Sequence, residues 1–181
     1  GMSIVQQQPS IFSGTIRYNL DPSQKYTIPQ VKDALRKVGL LSKVETLGGL
    51  DKQIAESGEN LSLGERQLMS MARAVLRQSK IIVLDEATAS VDMETDAILQ
   101  RTIRKEFKSS TVLTIAHRIH TIIDYDRIIV MDGGKIAECG TARDLLKQES
   151  GMFKAMVDKT GREAAAQLYA LAGVEARRSE E

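Results

Sequence analysis

The sequence predicts an α/β fold with a parallel sheet, because two apolar runs of strand length flank a stretch with helical periodicity. The first run, residues 81–84, contains no polar residue, as expected for a strand buried on both faces of a parallel sheet. The second run is residues 111–116. The stretch between them carries apolar residues at roughly helical spacing, namely Ile98, Leu99, Ile103 and Phe107. A right-handed crossover through this helix would make the two strands parallel.

The composition limits the class of protein. The 181 residues suffice for one sizeable core, and 42% apolar with 27% charged residues are ordinary values for a globular domain. With 25 basic and 24 acidic residues, the net charge of +1 argues against nucleic acid as a partner. The single cysteine, Cys139, excludes an internal disulfide and favours a reducing compartment. No apolar run is long enough to cross a bilayer.

Polar side chains follow both predicted strands. Asp85 and Glu86 come directly after the first strand, and His117 follows the second. Because the carboxyl ends of parallel strands meet at one sheet edge, where open α/β sheets bind ligands, we expect these three residues to lie together. By itself, the acidic pair is equally consistent with a helix cap or a solvated loop. His120 has no such context and is expected to be a surface or supporting residue.

A helix is predicted to begin near Gly64. Its inward stripe follows helical spacing and consists of Leu68, Met71, Ala72, Val75 and Leu76. Ser62 and Glu65 have the spacing of a capping box, in which each side chain accepts a hydrogen bond from the other's backbone amide. A helix N-terminus also attracts anions when glycine permits close approach. The segment can therefore serve both as a cap and as a phosphate site.

The remaining elements are predicted from local signals. Thr27 with Pro29 begins a helix that runs to about Leu40. The turn 132–134 joins two strands into a hairpin, and a capping box at Thr141 starts a further helix. From about residue 158 the chain is expected to form a charged, weakly helical tail, residues 158–181.

Two segments resemble motifs of the ATP-binding-cassette (ABC) ATPases. Residues 61–67 (Leu-Ser-Leu-Gly-Glu-Arg-Gln) are similar to the signature motif, and residues 85–92 resemble the Walker B segment and D-loop. The spacing between the two segments also matches. Residues 12–22 (Phe-Ser-Gly-Thr-Ile-Arg-Tyr-Asn-Leu-Asp-Pro) resemble the second ATPase domain of the multidrug-resistance-associated C subfamily. The resemblance implies a parallel P-loop-type sheet flanked by helices in residues 1–157, with a helical signature subdomain at about residues 14–78.

The resemblance also implies catalytic roles at the sheet edge. Asp85 would hold Mg²⁺ through water, and Glu86 would polarise the water that attacks the γ-phosphate of ATP. His117 matches the switch histidine, which would contact the γ-phosphate. The residue types suit this chemistry, since Mg²⁺ prefers hard oxygen ligands and phosphoryl transfer depends on a positioned nucleophile.

Residues 3–17 resemble the strand and Q-loop that touch both Mg²⁺ and the transmembrane domains of a transporter. Alignment on Pro9 selects Gln7 as the glutamine that contacts the metal and the nucleotide, and Gln6 and Gln8 remain alternatives one place away. Without the downstream motifs, a polar loop after a strand would explain this segment.

Nucleotide binding is further implied for Leu61, Ser62, Gly64 and Glu65 of the signature and for Asp92 of the D-loop. In the family, the signature closes over ATP that is held by a second nucleotide-binding domain in a head-to-tail pair. Glu65 stands where the commonest family residue is Gln. A carboxylate beside a triphosphate should weaken binding unless it is turned away into the capping box.

The leading hypothesis is the ATPase domain of a membrane exporter, paired with a second such domain in the same polypeptide and facing the cytoplasm. One alternative is a soluble cassette ATPase that acts on DNA or ribosomes, which the near-neutral charge and residues 12–22 disfavour. A second is a truncated, non-catalytic fragment that only pairs with intact domains. No segment matches the phosphate-binding pattern G-x-x-x-x-G-K-[ST], so we expect the Walker A strand and loop to be missing and the isolated chain to be inactive and prone to aggregate.

Overall fold

In the computed structural model, the described residues are 1–55, 58–85 and 91–174. The chain forms two compact units, Gly1–His117 and Arg118–Glu181. Within the described ranges, no helix combines the length and the apolar character that a membrane crossing needs.

The first unit contains a three-stranded parallel sheet, which confirms the predicted α/β fold. Its elements in chain order are β1 (Met2–Val5), β2 (Gly14–Thr15), α1 (Ile16–Leu20), α2 (Ile28–Lys37), α3 (Leu41–Leu47), β3 (Gln53–Ile54), α4 (Leu63–Arg77), β4 (Ile81–Asp85), α5 (Met93–Glu106) and β5 (Thr111–Ile115). The strand order is β1-β4-β5, and β4 is parallel to both neighbours. Strands β2 and β3 form a separate antiparallel pair. The predicted strand, helix, strand unit is thus β4, α5 and β5.

The expectation that β4 is buried on both faces was wrong. Ile82 and Leu84 are 0% and 2% exposed, but Ile81 is 44% exposed. Among the described residues of the first unit, the alternation shows that the helices pack against one face of the sheet. Exposed apolar side chains of all three strands share the other face, which we call the open face: Met2, Ile4, Ile81, Leu113 and Ile115.

Three serines join the strands at the amino-terminal edge of this sheet. The hydroxyls of Ser3 and Ser79 lie 2.7 Å apart and are buried. The Ser110 hydroxyl donates to the Ser79 carbonyl at 2.8 Å, directly before β5 begins. These contacts hold the starts of β1, β4 and β5 together, and we call them the serine clasp.

The helix α2 begins where the sequence predicts and ends earlier. Thr27 is its N-cap in a complete capping box with Gln30. The predicted end near Leu40 was wrong, because Gly39 adopts a φ of 72°. The Gly39 amide then donates to the Arg36 carbonyl and the Leu40 amide to the Leu35 carbonyl, a Schellman motif that closes the helix after Lys37.

The second unit contains the predicted hairpin. Its elements are a 3-10 turn (Ile119–Thr121), β6 (Ile128–Asp132), β7 (Lys135–Gly140), α6 (Ala142–Leu146), α7 (Met152–Asp158) and α8 (Arg162–Leu171). Strands β6 and β7 are antiparallel. Gly133 and Gly134 both have positive φ, 52° and 75°, as a tight hairpin turn requires.

Local caps position the helices of the second unit. Thr141 caps α6 by accepting from the Asp144 amide, but the Asp144 carboxylate accepts from the Thr141 hydroxyl and not from its backbone amide. The Glu138 carboxylate of β7 accepts from the first two amides of α7 at 2.6 and 2.9 Å. Helix α8 lies in the predicted tail, with Leu168 buried in the core of this unit. The division into residues 1–157 and 158–181 stays a prediction.

Candidate functional site

Three residues predicted for catalysis and metal binding lie at one edge of the parallel sheet. Asp85 is the last residue of β4 and is paired in register with Ile115 of β5. Gln7 follows the end of β1 by two residues, and His117 follows the end of β5 by two. All three side chains are exposed. Glu86, the predicted catalytic carboxylate, lies outside the described residues.

The signature residues form the start of α4. Ser62 is the N-cap, and its hydroxyl accepts from the Glu65 amide at 3.1 Å. The Ser62 amide donates back to Glu65 Oε2 at 2.8 Å, so the predicted capping box is confirmed. Leu61 is buried, whereas Ser62 is exposed. The first turn of α4 therefore has a fixed geometry with its N-cap at the surface.

Glu65 also has an ionic partner. Its Oε1 lies 3.1 Å from Lys43 Nζ of helix α3. Partial burial opposes ionisation of Glu65, but the hydrogen bond from the Ser62 amide and the Lys43 ammonium outweigh it and hold the pKa of this carboxyl below its usual value. Glu65 is therefore an anion at neutral pH, and both of its oxygens are engaged within the first unit.

Gly64 is buried against the start of helix α5. A Cβ at position 64 would lie 2.9 Å from Thr95 Oγ1 and 3.0 Å from Thr95 Cγ2. Thr95 cannot easily move away, since its amide and hydroxyl donate to the two Asp92 carboxylate oxygens at 2.9 and 2.7 Å. These hydrogen bonds lower the pKa of Asp92. Asp92, predicted to bind nucleotide, is thus the N-cap of α5 and fixes the residue that faces Gly64.

A buried amide connects the signature helix with the sheet edge. Gln67 of α4 is 0% exposed, and its Nε2 donates to the Gln7 carbonyl at 3.1 Å. This hydrogen bond directly joins α4, whose first turn carries the signature, to the sheet edge that carries Gln7, Asp85 and His117.

A guanidinium attaches the segment after Gln7 to the same helix. Arg73 of α4 donates to the carbonyls of Asn19 and Ser10 at 2.6 and 2.7 Å, and to Asn19 Oδ1 at 3.1 Å. Burial, with the nearby Arg77 as a second cause, lowers the pKa of Arg73 to about 10, so it stays charged at neutral pH. The Asn19 side chain also bonds both the amide and the carbonyl of Phe12.

Comparison with known proteins shows which family the chain belongs to. A family profile described as "ABC transporter" matches residues 1–89. ATP-binding cassette sub-family C member 2 of Rattus norvegicus is 52% identical over 161 residues, 88% of this chain and 10% of the relative. The chain belongs to the ABC transporter family. Human sub-family C member 4 is 46% identical over 92% of this chain and 13% of its own length. The chain thus spans roughly a tenth of these relatives.

A solved ABC exporter has the same fold. The structure described as a bacterial Atm1-family ABC exporter with ATP bound matches with a TM-score of 0.80 and 32% identity, over 88% of this chain and 28% of the exporter chain. The family membership and the likeness to the multidrug-resistance-associated subfamily, which the motifs predicted, are confirmed.

The ABC motifs did not point to three residues that surround the site. Lys43 and Thr95 lie outside the motifs, and Gln67 lies inside the signature but had no assigned role. Each acts through a contact with a residue distant in the sequence, to Glu65, Gly64 and Gln7 respectively. Periodicity and capping patterns report neighbours along the chain, so they give no signal for such pairs.

Proposed function

We propose that this chain is part of an ATP-driven membrane exporter of the ABC C subfamily, and that it contributes to MgATP hydrolysis at the interface of two paired nucleotide-binding domains. The observation that carries the proposal is the gathering of Gln7, Asp85 and His117 at the carboxyl edge of one parallel sheet. The proposal requires a longer polypeptide, the complete transporter.

At the sheet edge, Asp85 and Gln7 would hold Mg²⁺ with a carboxylate and an amide oxygen, the hard donors that this ion prefers. Bound Mg²⁺ neutralises charge that develops on the phosphates during transfer. His117 would donate to the γ-phosphate, and Glu86 would accept the hydrogen bond that orients the attacking water.

The start of α4 would serve a second ATP, held by the partner domain. Ser62 is exposed at the helix N-terminus, where unpaired amides and the positive dipole end attract a phosphate. The buried Gly64 and Leu61 would form the base of this contact, and Asp92 would lie next to it at the start of α5. The partner would be a second nucleotide-binding domain of the same polypeptide in a head-to-tail pair.

Transmembrane domains would contact the segment after Gln7. Phe12 is 59% exposed on this segment, although Asn19 fixes its backbone on both sides. An exposed aromatic residue on a fixed backbone suits a contact with another domain. The site would thus face the cytoplasm at a membrane, and nothing in the near-neutral charge favours nucleic acid.

The test compares two carboxylate substitutions in the complete transporter. Glu86→Gln should preserve ATP binding and lower the ATPase rate to background, because a neutral amide cannot polarise the attacking water or accept its proton. Glu94→Gln, an exposed carboxylate in the first turn of α5, is the matched control and should leave the rate unchanged. His117→Ala should also lower turnover. An ATPase rate of Glu86→Gln equal to that of Glu94→Gln would overturn the assignment.

A further inference from the structure

Lys43 lies beside the signature although the family motifs do not include it. It belongs to α3, and its Nζ is 3.1 Å from Glu65 Oε1 on α4. Helix α3 is held in place by the buried Val44 and by a Schellman motif in which Gly49 donates to the Val44 carbonyl. The position of Lys43 beside the helix start therefore follows from the packing of a separate element.

The charge of Glu65 would otherwise be unfavourable for ATP. Its Oε2 accepts from the Ser62 amide at 2.8 Å, which places the carboxylate at the very end of α4 that is proposed to receive the γ-phosphate. A like charge close to a triphosphate repels it, and the repulsion is strong where water is partly excluded. The Lys43 ammonium balances this charge. Its side chain is 47% exposed, and an ammonium carries three N–H donors, so it can also face a ligand.

We propose that Lys43 is a further nucleotide-affinity residue of the signature: it neutralises Glu65 and presents a positive charge to the polyphosphate of ATP bound by the partner domain. This inference rests on the proposed function of the start of α4. Lys43 thereby allows a signature that contains Glu65, where the family more often has Gln, to close over ATP.

The test is a double-mutant cycle in the complete transporter, with the ATP concentration that gives half-maximal ATPase activity as the readout. Lys43→Gln should raise this concentration by roughly threefold to tenfold, because Glu65 is left uncompensated. Glu65→Gln should lower it, since Lys43 is then unopposed. The double variant should return close to the parent value. Lys43→Arg keeps the charge and should behave as the parent does.

Lys32→Gln is the matched control. Lys32 of α2 forms an ion pair with Glu45 of α3 at 3.6 Å, and its side chain is 44% exposed, close to the 47% of Lys43. Neither Lys32 nor Glu45 belongs to the signature or pairs with it. A purely structural role of Lys43 predicts equal effects of Lys32→Gln and Lys43→Gln. It also predicts that Glu65→Gln, which breaks the same ion pair, changes the ATP concentration in the same direction as Lys43→Gln. Either result would overturn the inference.

Ser62→Asp separates the inference from the proposed function, because aspartate keeps an N-cap side chain on α4 but places a negative charge where the phosphate is expected. If Ser62→Asp abolishes ATP-dependent turnover while Lys43→Gln matches the control, the role of Lys43 is wrong and the signature site stands. If Ser62→Asp leaves turnover unchanged, the start of α4 does not serve ATP, and the inference fails with it.

Discussion

Gly64 lies close to Thr95, so the effect of Gly64→Ala on the stability of α4 should depend on whether Thr95 is present. In Gly64→Ala, the new Cβ would meet Thr95 Oγ1 at 2.9 Å and Cγ2 at 3.0 Å. Overpacking of this kind typically costs about 1–3 kcal/mol. Alanine is favoured over glycine inside a helix by about 1 kcal/mol, which offsets part of that cost. We therefore expect Gly64→Ala to weaken the start of α4 in the parent chain.

Thr95→Ala removes both of the clashing atoms. In that background Gly64→Ala should be neutral or stabilising, because the helix propensity of alanine remains and most of the strain is gone. The coupling between the two substitutions should be about 1–3 kcal/mol. Thr95→Ser is the control, since it keeps the oxygen at 2.9 Å and should not provide full relief.

Amide hydrogen exchange of a peptide covering the first two turns of α4 measures this coupling. A factor of ten in exchange corresponds to about 1.4 kcal/mol, so the effect of Gly64→Ala should differ between the two backgrounds by roughly 5-fold to 150-fold. Equal effects in both backgrounds would refute the packing argument. In the complete transporter, turnover that stays low in the double variant would indicate that the phosphate, and not only Thr95, requires a glycine.

Three further predictions concern other contacts. Arg73→Gln should destabilise the segment 10–19 by about 2–3 kcal/mol, because three hydrogen bonds of about 1 kcal/mol each are lost or weakened, and faster amide exchange there would report it. Glu138→Gln should weaken the first turn of α7 by about 0.3–1 kcal/mol, seen as faster exchange of its first amides, since the negative charge at the helix N-terminus is removed. The isolated chain should self-associate through the open face, so sedimentation velocity should show less association for Leu113→Lys than for a control variant, Tyr18→Lys. Tyr18 is exposed on α1, outside the sheet, and equal association of the two variants would exclude the open face.

Features that depend on neighbouring residues could be predicted from the sequence. The capping box at Ser62 joins residues three positions apart, the helix start at Thr27 is marked by Pro29 two residues later, and the hairpin turn depends on two adjacent glycines. The parallel strands β4 and β5 followed from two apolar runs and the helix between them. Because the carboxyl ends of parallel strands share an edge, the same prediction placed Asp85 and His117 together.

Features that depend on tertiary contacts could not be predicted in the same way. The Lys43–Glu65 pair and the Gln67–Gln7 hydrogen bond join separate elements, and no local pattern encodes them. The apolar character of residues 81–84 was taken as evidence of burial on two faces, but apolarity does not specify what packs against a strand. The open face is the result, and Ile81 is exposed on it.

The serine clasp has a consequence at the opposite edge of the sheet. A strand advances by about 3.3 Å per residue and turns alternate side chains to opposite faces, so a slip of one residue would both shift and invert whatever stands at its far end. The hydroxyl contacts of Ser3, Ser79 and Ser110 suit only one alignment of the strands. The clasp therefore helps to fix the relative heights of Gln7, Asp85 and His117 at the opposite edge of the sheet, where we propose that MgATP binds.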